Sequence, residues 1–259
     1  ASMPEGDTVY RSARNLDFAL AGTVLTRCDV RVPAFATVDL TGETVHGVAS
    51  RGKHILMRVG QYTLHSHLKM EGSWHLYRPG SKWFRPEFQA RVILGTNNVL
   101  AVGFDLGLFD VVRTEHEDDI VGYLGPDLLG DWDPALAEAN LRRNPDRAIG
   151  LAVLDQRNLA GLGNVYRAEL CFLRGVLPTR AVGEVTGLEK MIELAWRLID
   201  ANKDRSQRTT TGRLTGQRLW VYGRTGKPCL RCDTPIEHGQ LGDTPLQLRD
   251  SWWCPRCQS

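Results

Sequence analysis

The sequence predicts an α+β protein: an N-terminal helix ahead of an antiparallel β-sandwich, then a helical region, then a short hairpin held by four cysteines. Three patterns predict it. Val9, Ala13, Leu16 and Leu20 recur at helical spacing, and Gly22 stands where a helix would stop. From Thr23 to Thr114 the chain changes to short β-branched and aromatic runs separated by turns. Cys229-x-x-Cys232 and Cys254-x-x-Cys257 enclose 21 residues, close to the usual spacing of a four-cysteine metal site.

The helix brings the stretch Met3-Pro4-Glu5-Gly6-Asp7-Thr8 to its N-terminus. A proline that becomes the terminus after removal of the preceding methionine carries a secondary amine, with a pKa of roughly 8. The positive end of the helix dipole favours the neutral amine and lowers that value. Such an amine attacks an electrophilic carbon and forms an iminium that has no N–H proton to lose, a lasting electron sink for elimination. Glu5 supplies a carboxyl group within reach of the same carbon. A proline at a helix start also has a purely structural explanation, because its missing donor is harmless there. Ala1-Ser2 ahead of Met3 reads as a cloning remnant; with those residues attached, Pro4 is a tertiary amide without an available lone pair.

The strand runs are Thr23–Val32, His54–Val59, Thr63–Met70, Ala90–Leu94 and Val99–Phe104, with a hairpin expected at Asn97-Asn98. Several short strands at this spacing favour an antiparallel sandwich. Arg51-Gly52-Lys53 precedes the second run, where a lysine can point into a cleft or simply into solvent. His65 and His67 fall on one strand face, with no third metal ligand nearby, so ordinary hydrogen-bonded histidines are expected.

Gly122 to Pro134 has the glycine and proline content of a junction. Beyond it, an apolar run at Ile149–Asp155 is broken by Ala160-Gly161-Leu162-Gly163-Asn164, and a helix resumes at Val165–Leu173. Two glycines before a helix expose backbone N–H groups that suit a phosphate; Asn164 either caps that helix or donates to the same anion. Leu188, Met191, Ile192, Ala195, Leu198 and Ile199 define one more amphipathic helix. Asn202 to Gly226, with Thr209-Thr210-Thr211-Gly212 among arginines, is either disordered or a binding loop.

In 259 residues with a formal charge of +2, any nucleic-acid footprint must come from charge distribution. It is uneven: from Lys203 to Arg231 there are eight Lys/Arg against Asp204 alone. No apolar run approaches the ~20 residues of a membrane span, and no leader pattern is present, so a cytoplasmic, nucleoid-associated protein is expected. The paired C-x-x-C motifs suggest metal in a reducing compartment rather than disulfides. Four thiolates leave no open position, so one zinc held there is expected to be structural, with an iron–sulfur cluster as the alternative. Cys28 and Cys171 read as buried thiols.

Pro4-Glu5-Gly6, Arg51-Gly52-Lys53, Leu154-Asp155-Gln156 with Ala160–Asn164, Val221-Tyr222-Gly223-Arg224 and Cys254-Pro255-Arg256-Cys257-Gln258 occur in one order. Together they resemble the formamidopyrimidine-DNA glycosylase and endonuclease VIII family over essentially the whole chain. The resemblance implies a catalytic β-sandwich domain with its N-terminal helix over 1–124. It implies a helix–two-turns–helix DNA-binding domain with a basic loop over 125–225, and a zinc finger over 226–259. Damaged DNA would run between the halves, and the enzyme would act as a monomer. It further implies that Pro4 is the nucleophile at C1′ and that Glu5 is the acid/base for sugar-ring opening. Lys53 would contact DNA and support catalysis, Asn164 and Arg249 would clamp the phosphates, and Met70 would fill the gap left by the extruded base. This agrees with the need to take a damaged base out of the stack while holding the backbone.

The chain departs from the formamidopyrimidine branch at Phe104-Asp105-Leu106-Gly107-Leu108-Phe109, which carries no arginine to pair with an orphaned cytosine, although Arg113 lies a few residues beyond. The expectation is therefore a base-excision-repair glycosylase and abasic-site lyase of the endonuclease VIII branch, acting on oxidised pyrimidines. The alternatives are an oxidised-purine glycosylase, or a DNA-binding form made inactive by residues 1–3. Asp250 beside Arg249 is expected to weaken a phosphate contact.

Overall fold

The computed structural model describes residues 4–259, so the expectation about the start of the chain at 1–3 lies outside the described residues. The chain forms two compact units, one of Pro4 with Thr8–Tyr123, the other of Glu5–Asp7 with Leu124–Ser259.

The first unit begins with α1 (Gly6–Leu20), most of which belongs to it. Eight strands follow: β1 (Arg27–Val30), β2 (Val45–Arg51), β3 (His54–Val59), β4 (Tyr62–His67), β5 (Ser73–Tyr77), β6 (Ala90–Gly95), β7 (Leu100–Phe104) and β8 (Leu108–Arg113). They form two antiparallel four-stranded sheets, ordered β1-β6-β7-β5 and β2-β3-β4-β8. The apolar stripe of α1 (Val9, Ala13, Leu16, Leu20) shares one core with Val30, Leu94 and Ala101 of one sheet and Val45, Met57 and Leu64 of the other. Burial of that stripe is what makes this helix stable, since propensity alone is weak. The short helix α2 (Asp118–Val121) closes the unit.

Three strands lacked a clear signal in the sequence. β2 is interrupted by a register shift around His46-Gly47, which breaks its alternation. β8 mixes polar and apolar side chains on both faces, and β5 does so on the face of Ser73, His75 and Tyr77. The expected strand Thr63–Met70 stops at His67, because Lys69 turns the chain with φ 53. The expected run Thr23–Val32 is a regular strand only over Arg27–Val30.

The second unit holds α3 (Pro134–Arg142), α4 (Ile149–Ala152), α5 (Asn164–Leu173) and α6 (Leu188–Asn202), then the hairpin β9 (Glu237–Leu241) and β10 (Arg249–Trp253). Asp133 caps α3, accepting from Leu136 N with Pro134 behind it. Leu141, Ile149, Leu162, Leu170, Met191, Ile192 and Ile199 pack into one core. Ala168 and Phe172 on α5 pack with Cys229, Ile236 and Cys254, which seats the cysteine hairpin on that helix. Among the described residues no helix is long and apolar enough to cross a membrane.

Candidate functional site

Glu5, Gly6 and Asp7 are held at the N-terminal end of α5. Gly6 N donates to Gly161 O at 2.8 Å, and a Cβ on Gly6 would lie 2.9 Å from Gly161 Cα, so this approach requires glycine. Gly161 itself sits at φ 121. Gln156 fixes the turn: its Nε2 donates to Leu154 O and Leu162 O, and its Oε1 accepts from Gly161 N, all within 2.8–2.9 Å.

This arrangement delivers Glu5, fully buried, to the start of the helix. Its Oε1 accepts from Val165 N at 3.1 Å and from Tyr166 N at 3.5 Å. A Cβ on Gly163 would collide with the same carboxylate. The donors at a helix N-terminus are the natural partners of a negative charge. The other oxygen lies 3.3 Å from Arg208 Nη1. Arg208 also donates to both oxygens of Asp7, at 2.9 and 2.6 Å, and lies over the Tyr166 ring; Tyr166 OH donates to Asp7 at 2.8 Å. Burial opposes the Arg208 charge, yet Glu5 and Asp7 together raise its pKa above the ordinary value.

Arg208 belongs to the basic stretch Asn202–Gly226, expected to be either disordered or a binding loop. Its side chain is only 6% exposed and faces acids of its own chain. Glu169, buried on α5, accepts from the main-chain N–H groups of Trp220, Val221 and Tyr222 at 2.6–3.2 Å and from Thr210 Oγ1. Arg224 donates to Trp220 O and Pro228 O at 2.7 and 2.8 Å. The segment is an ordered strap rather than a disordered one.

Asn164 is not the helix cap; Gly163 occupies that position. The Asn164 amide donates to Asp250 O at 2.8 Å, and buried Arg167 donates to Asn164 Oδ1 and, at 3.0 Å, to the same carbonyl. Burial lowers the Arg167 pKa. Arg249, on the hairpin beside this junction, is exposed. The Asp250 carboxylate lies 2.9 Å from His238 Nε2, because alternation along β10 sends it to the face away from its neighbour Arg249. Asp250 therefore faces His238 and not Arg249. Neither Arg208 nor Arg167 was identified from the sequence; Arg208 lies about 200 residues from Asp7, and Arg167, only three residues after Asn164, belongs to no motif that marks it.

In the first unit Lys53 lies in the tight β2–β3 turn after Gly52 (φ 57) and is partly exposed. The β3–β4 register places His54 opposite His67, so a third histidine does join the pair noted in the sequence. His54 Nδ1 is 2.7 Å from His65 Nε2, His54 Nε2 is 3.1 Å from Tyr123 OH, and His65 Nδ1 is 3.4 Å from Asp110. These rings bond to one another rather than converge on a point. Burial, aided by neighbouring positive charge, lowers His54 to about 4 and His67 to about 3. Met70, on the β4–β5 turn, is 62% exposed. Arg113 donates to Glu115 and Gln61 at the other end of β8 from Leu108, so it does not reach back to the Phe104–Phe109 turn.

Among the described residues, the group of histidines, cysteines and acids able to hold a metal is Cys229, Cys232, Cys254 and Cys257, with sulfurs within 4.8 Å of one another. Sγ pairs at 3.5 and 3.9 Å match the ~3.8 Å edge of a tetrahedron with bonds of about 2.3 Å. Arg231 N and Cys257 N point at Cys229 and Cys254 sulfurs at 3.4 Å, as donors to thiolates do. The residues fit a metal ion.

Residues 3–105 match the formamidopyrimidine-DNA glycosylase N-terminal domain family. The chain is 56% identical to "Probable endonuclease 8 2" of Streptomyces coelicolor, over 99% of this chain and 94% of that protein. It is 48% identical to "DNA-(apurinic or apyrimidinic site) lyase Nei2" of Mycolicibacterium smegmatis, over 99% of both. In structure it is similar to the Lactococcus lactis Fpg in a complex with DNA containing an abasic site, with a TM-score of 0.82 at 22% identity, covering 99% of this chain and 100% of that one. At that identity the structural likeness shows the fold.

Proposed function

Because this chain belongs to the endonuclease VIII and formamidopyrimidine-DNA glycosylase family, we propose that it removes oxidised pyrimidines from DNA and cleaves the resulting abasic site through Pro4. It is a bifunctional DNA glycosylase and abasic-site lyase. The observation that carries the residue assignment is the Glu5 carboxylate, next to Pro4 in the chain, held between Val165 N and Arg208.

Once the amine of Pro4 is free, its lone pair forms a bond to C1′ of the damaged nucleotide and the base leaves. The nitrogen, now an ammonium, loses its proton to the Glu5 carboxylate; Glu5 returns that proton to O4′ as the sugar ring opens, and the freed nitrogen lone pair makes the iminium. Loss of a C2′ proton then pushes electrons toward the iminium, the C3′–O bond breaks, and the 3′-side strand departs as its phosphate. The base departs with its bonding pair and takes a proton from water, the C2′ proton goes to solvent, and water finally hydrolyses the iminium to free Pro4, so no redox partner is required.

The remaining residues hold DNA. Lys53 and Arg249 supply positive charge to phosphates. The Asn164 amide has two donors, of which Asp250 O takes one, and the other serves a phosphate. Met70 fills the vacated stack. Cys229, Cys232, Cys254 and Cys257 hold one zinc ion, which keeps the hairpin folded and does no chemistry. We take 1–124 as the catalytic domain, 125–225 as the DNA-binding helices with their strap, and 226–259 as the finger.

The lesion class is tested by single-turnover excision of 5-hydroxyuracil and 8-oxoguanine, each opposite all four bases, with protein starting at Pro4. Faster removal of 5-hydroxyuracil with weak dependence on the opposite base is expected, since the Phe104–Phe109 turn offers no arginine and Arg113 is engaged elsewhere. Faster 8-oxoguanine removal confined to cytosine partners would move the enzyme to the purine branch.

A further inference from the structure

The chain crosses from one sheet of the sandwich to the other through residues 68–72, between β4 and β5, and again through 105–107, between β7 and β8. Because β4 pairs with β8 and β5 with β7, these two turns lie side by side. Both are strained. Lys69 and Asp105 have φ 53 and 46, and among the described non-glycine residues only Asp233 of the finger shares that conformation. Backbone of this kind costs about 1–3 kcal/mol per residue and persists only where its surroundings impose it. The turns also press together, since a Cβ on Gly107 would collide with the Lys69 side chain.

One side chain ties them. Arg85, from the connection between β5 and β6, donates Nη1 to Glu71 O at 3.2 Å and to Asp105 Oδ2 at 3.2 Å. Glu71 follows Met70, and Leu108, exposed at the head of β8, pairs with His67 just before the other turn. The planar guanidinium suits such a bridge, which a lysine would not reproduce. It also neutralises an acid that would otherwise repel the phosphates near an inserted turn.

We infer that Arg85 is a positioning residue for strand opening: it locks the two turns into one wedge and holds Met70 at a fixed height when the damaged nucleotide leaves the stack. This rests on the glycosylase reading. The arginine absent from Phe104–Phe109 is thus supplied by another loop, as a brace and not as a reader of bases.

The test uses an uncleavable duplex with a tetrahydrofuran abasic analogue and 2-aminopurine opposite it, with binding saturation followed by anisotropy. Wild-type protein should raise 2-aminopurine fluorescence at saturation. Arg85→Met should give a rise about fivefold smaller at the same saturation, the most that a part-exposed ion pair supplies. Asp105→Asn, which leaves Arg85 in place, should do the same, and the double variant should be no worse than either. Asp105→Asn also decides the matter if Arg85→Met fails to fold. A full rise with both variants overturns the inference, as does a saturated wild-type complex with no rise. Failure of wild-type protein to bind the duplex would instead sink the damaged-DNA reading on which it rests.

Discussion

The side-chain amide of Asn164 donates to the main-chain carbonyl of Asp250 at 2.8 Å, and Arg167 reaches the same oxygen at 3.0 Å. The first residue of α5 and the strand that carries Arg249 are therefore set relative to each other by the backbone of Asp250, while its carboxylate belongs to His238. The proposed phosphate clamp is one rigid feature.

Arg249→Ala is expected to weaken binding to lesion DNA and to reduce the slope of log affinity against log salt by about one. Asp250→Asn should leave that slope nearly unchanged, because its carboxylate faces away from Arg249. Asn164→Ala should cost about 1–3 kcal/mol of binding with a smaller change in slope, since it leaves Arg167 and Asp250 O short of a partner. Titrations across salt concentrations check all three. An unchanged slope in Arg249→Ala would show that the finger does not grip DNA.

One zinc per chain is expected, and Cys257→Ala or chelation should unfold the Glu237–Trp253 hairpin and weaken DNA binding while sparing the sandwich. Metal analysis together with hydrogen exchange decides this. Protein prepared without chelator and found free of zinc would contradict it.

Glu5→Gln is expected to slow base excision by about 10²–10⁴-fold, the usual worth of a general acid. Cleavage of a preformed abasic site should fall much less, because its sugar already opens without help. Arg208→Met should also slow excision, since it removes the cation that holds the Glu5 carboxylate in place. Equal loss of both activities in Glu5→Gln would point to collapse of the turn at Gly161–Gly163 instead.

The first helix and the cysteine cluster were legible because each depends on residues close in sequence: a 3.6-residue stripe and two C-x-x-C pairs. The Arg208 contacts with Glu5 and Asp7 span some 200 residues, and the strap from Thr210 to Tyr222 is ordered by one buried carboxylate, Glu169, on another element. No local pattern encodes such pairings. The strand end misread at Lys69 also involves a distant element, since Lys69, at φ 53, packs where only a glycine at 107 leaves room for it.

The histidine group predicts a pH response. His54 and His67 stay neutral down to about 4 and about 3 in the folded sandwich, against an ordinary value of 6.5. Below 6.5 the unfolded chain binds protons that the folded one refuses, so stability falls as pH drops from 6.5 to about 4 for His54 and about 3 for His67. Urea midpoints for wild type and His54→Gln across this range should differ in slope, with the variant flatter. Parallel curves would contradict the burial argument.

The central claim is that the nitrogen of Pro4 forms the covalent bond to DNA. Borohydride reduction in the presence of abasic-site duplex should trap a protein–DNA adduct with a chain whose first residue, confirmed by intact mass, is Pro4. A chain with residues attached ahead of Pro4 should trap none, because its proline nitrogen is an amide. Equal trapping by both forms would contradict the account and make Lys53 the first nucleophile to examine.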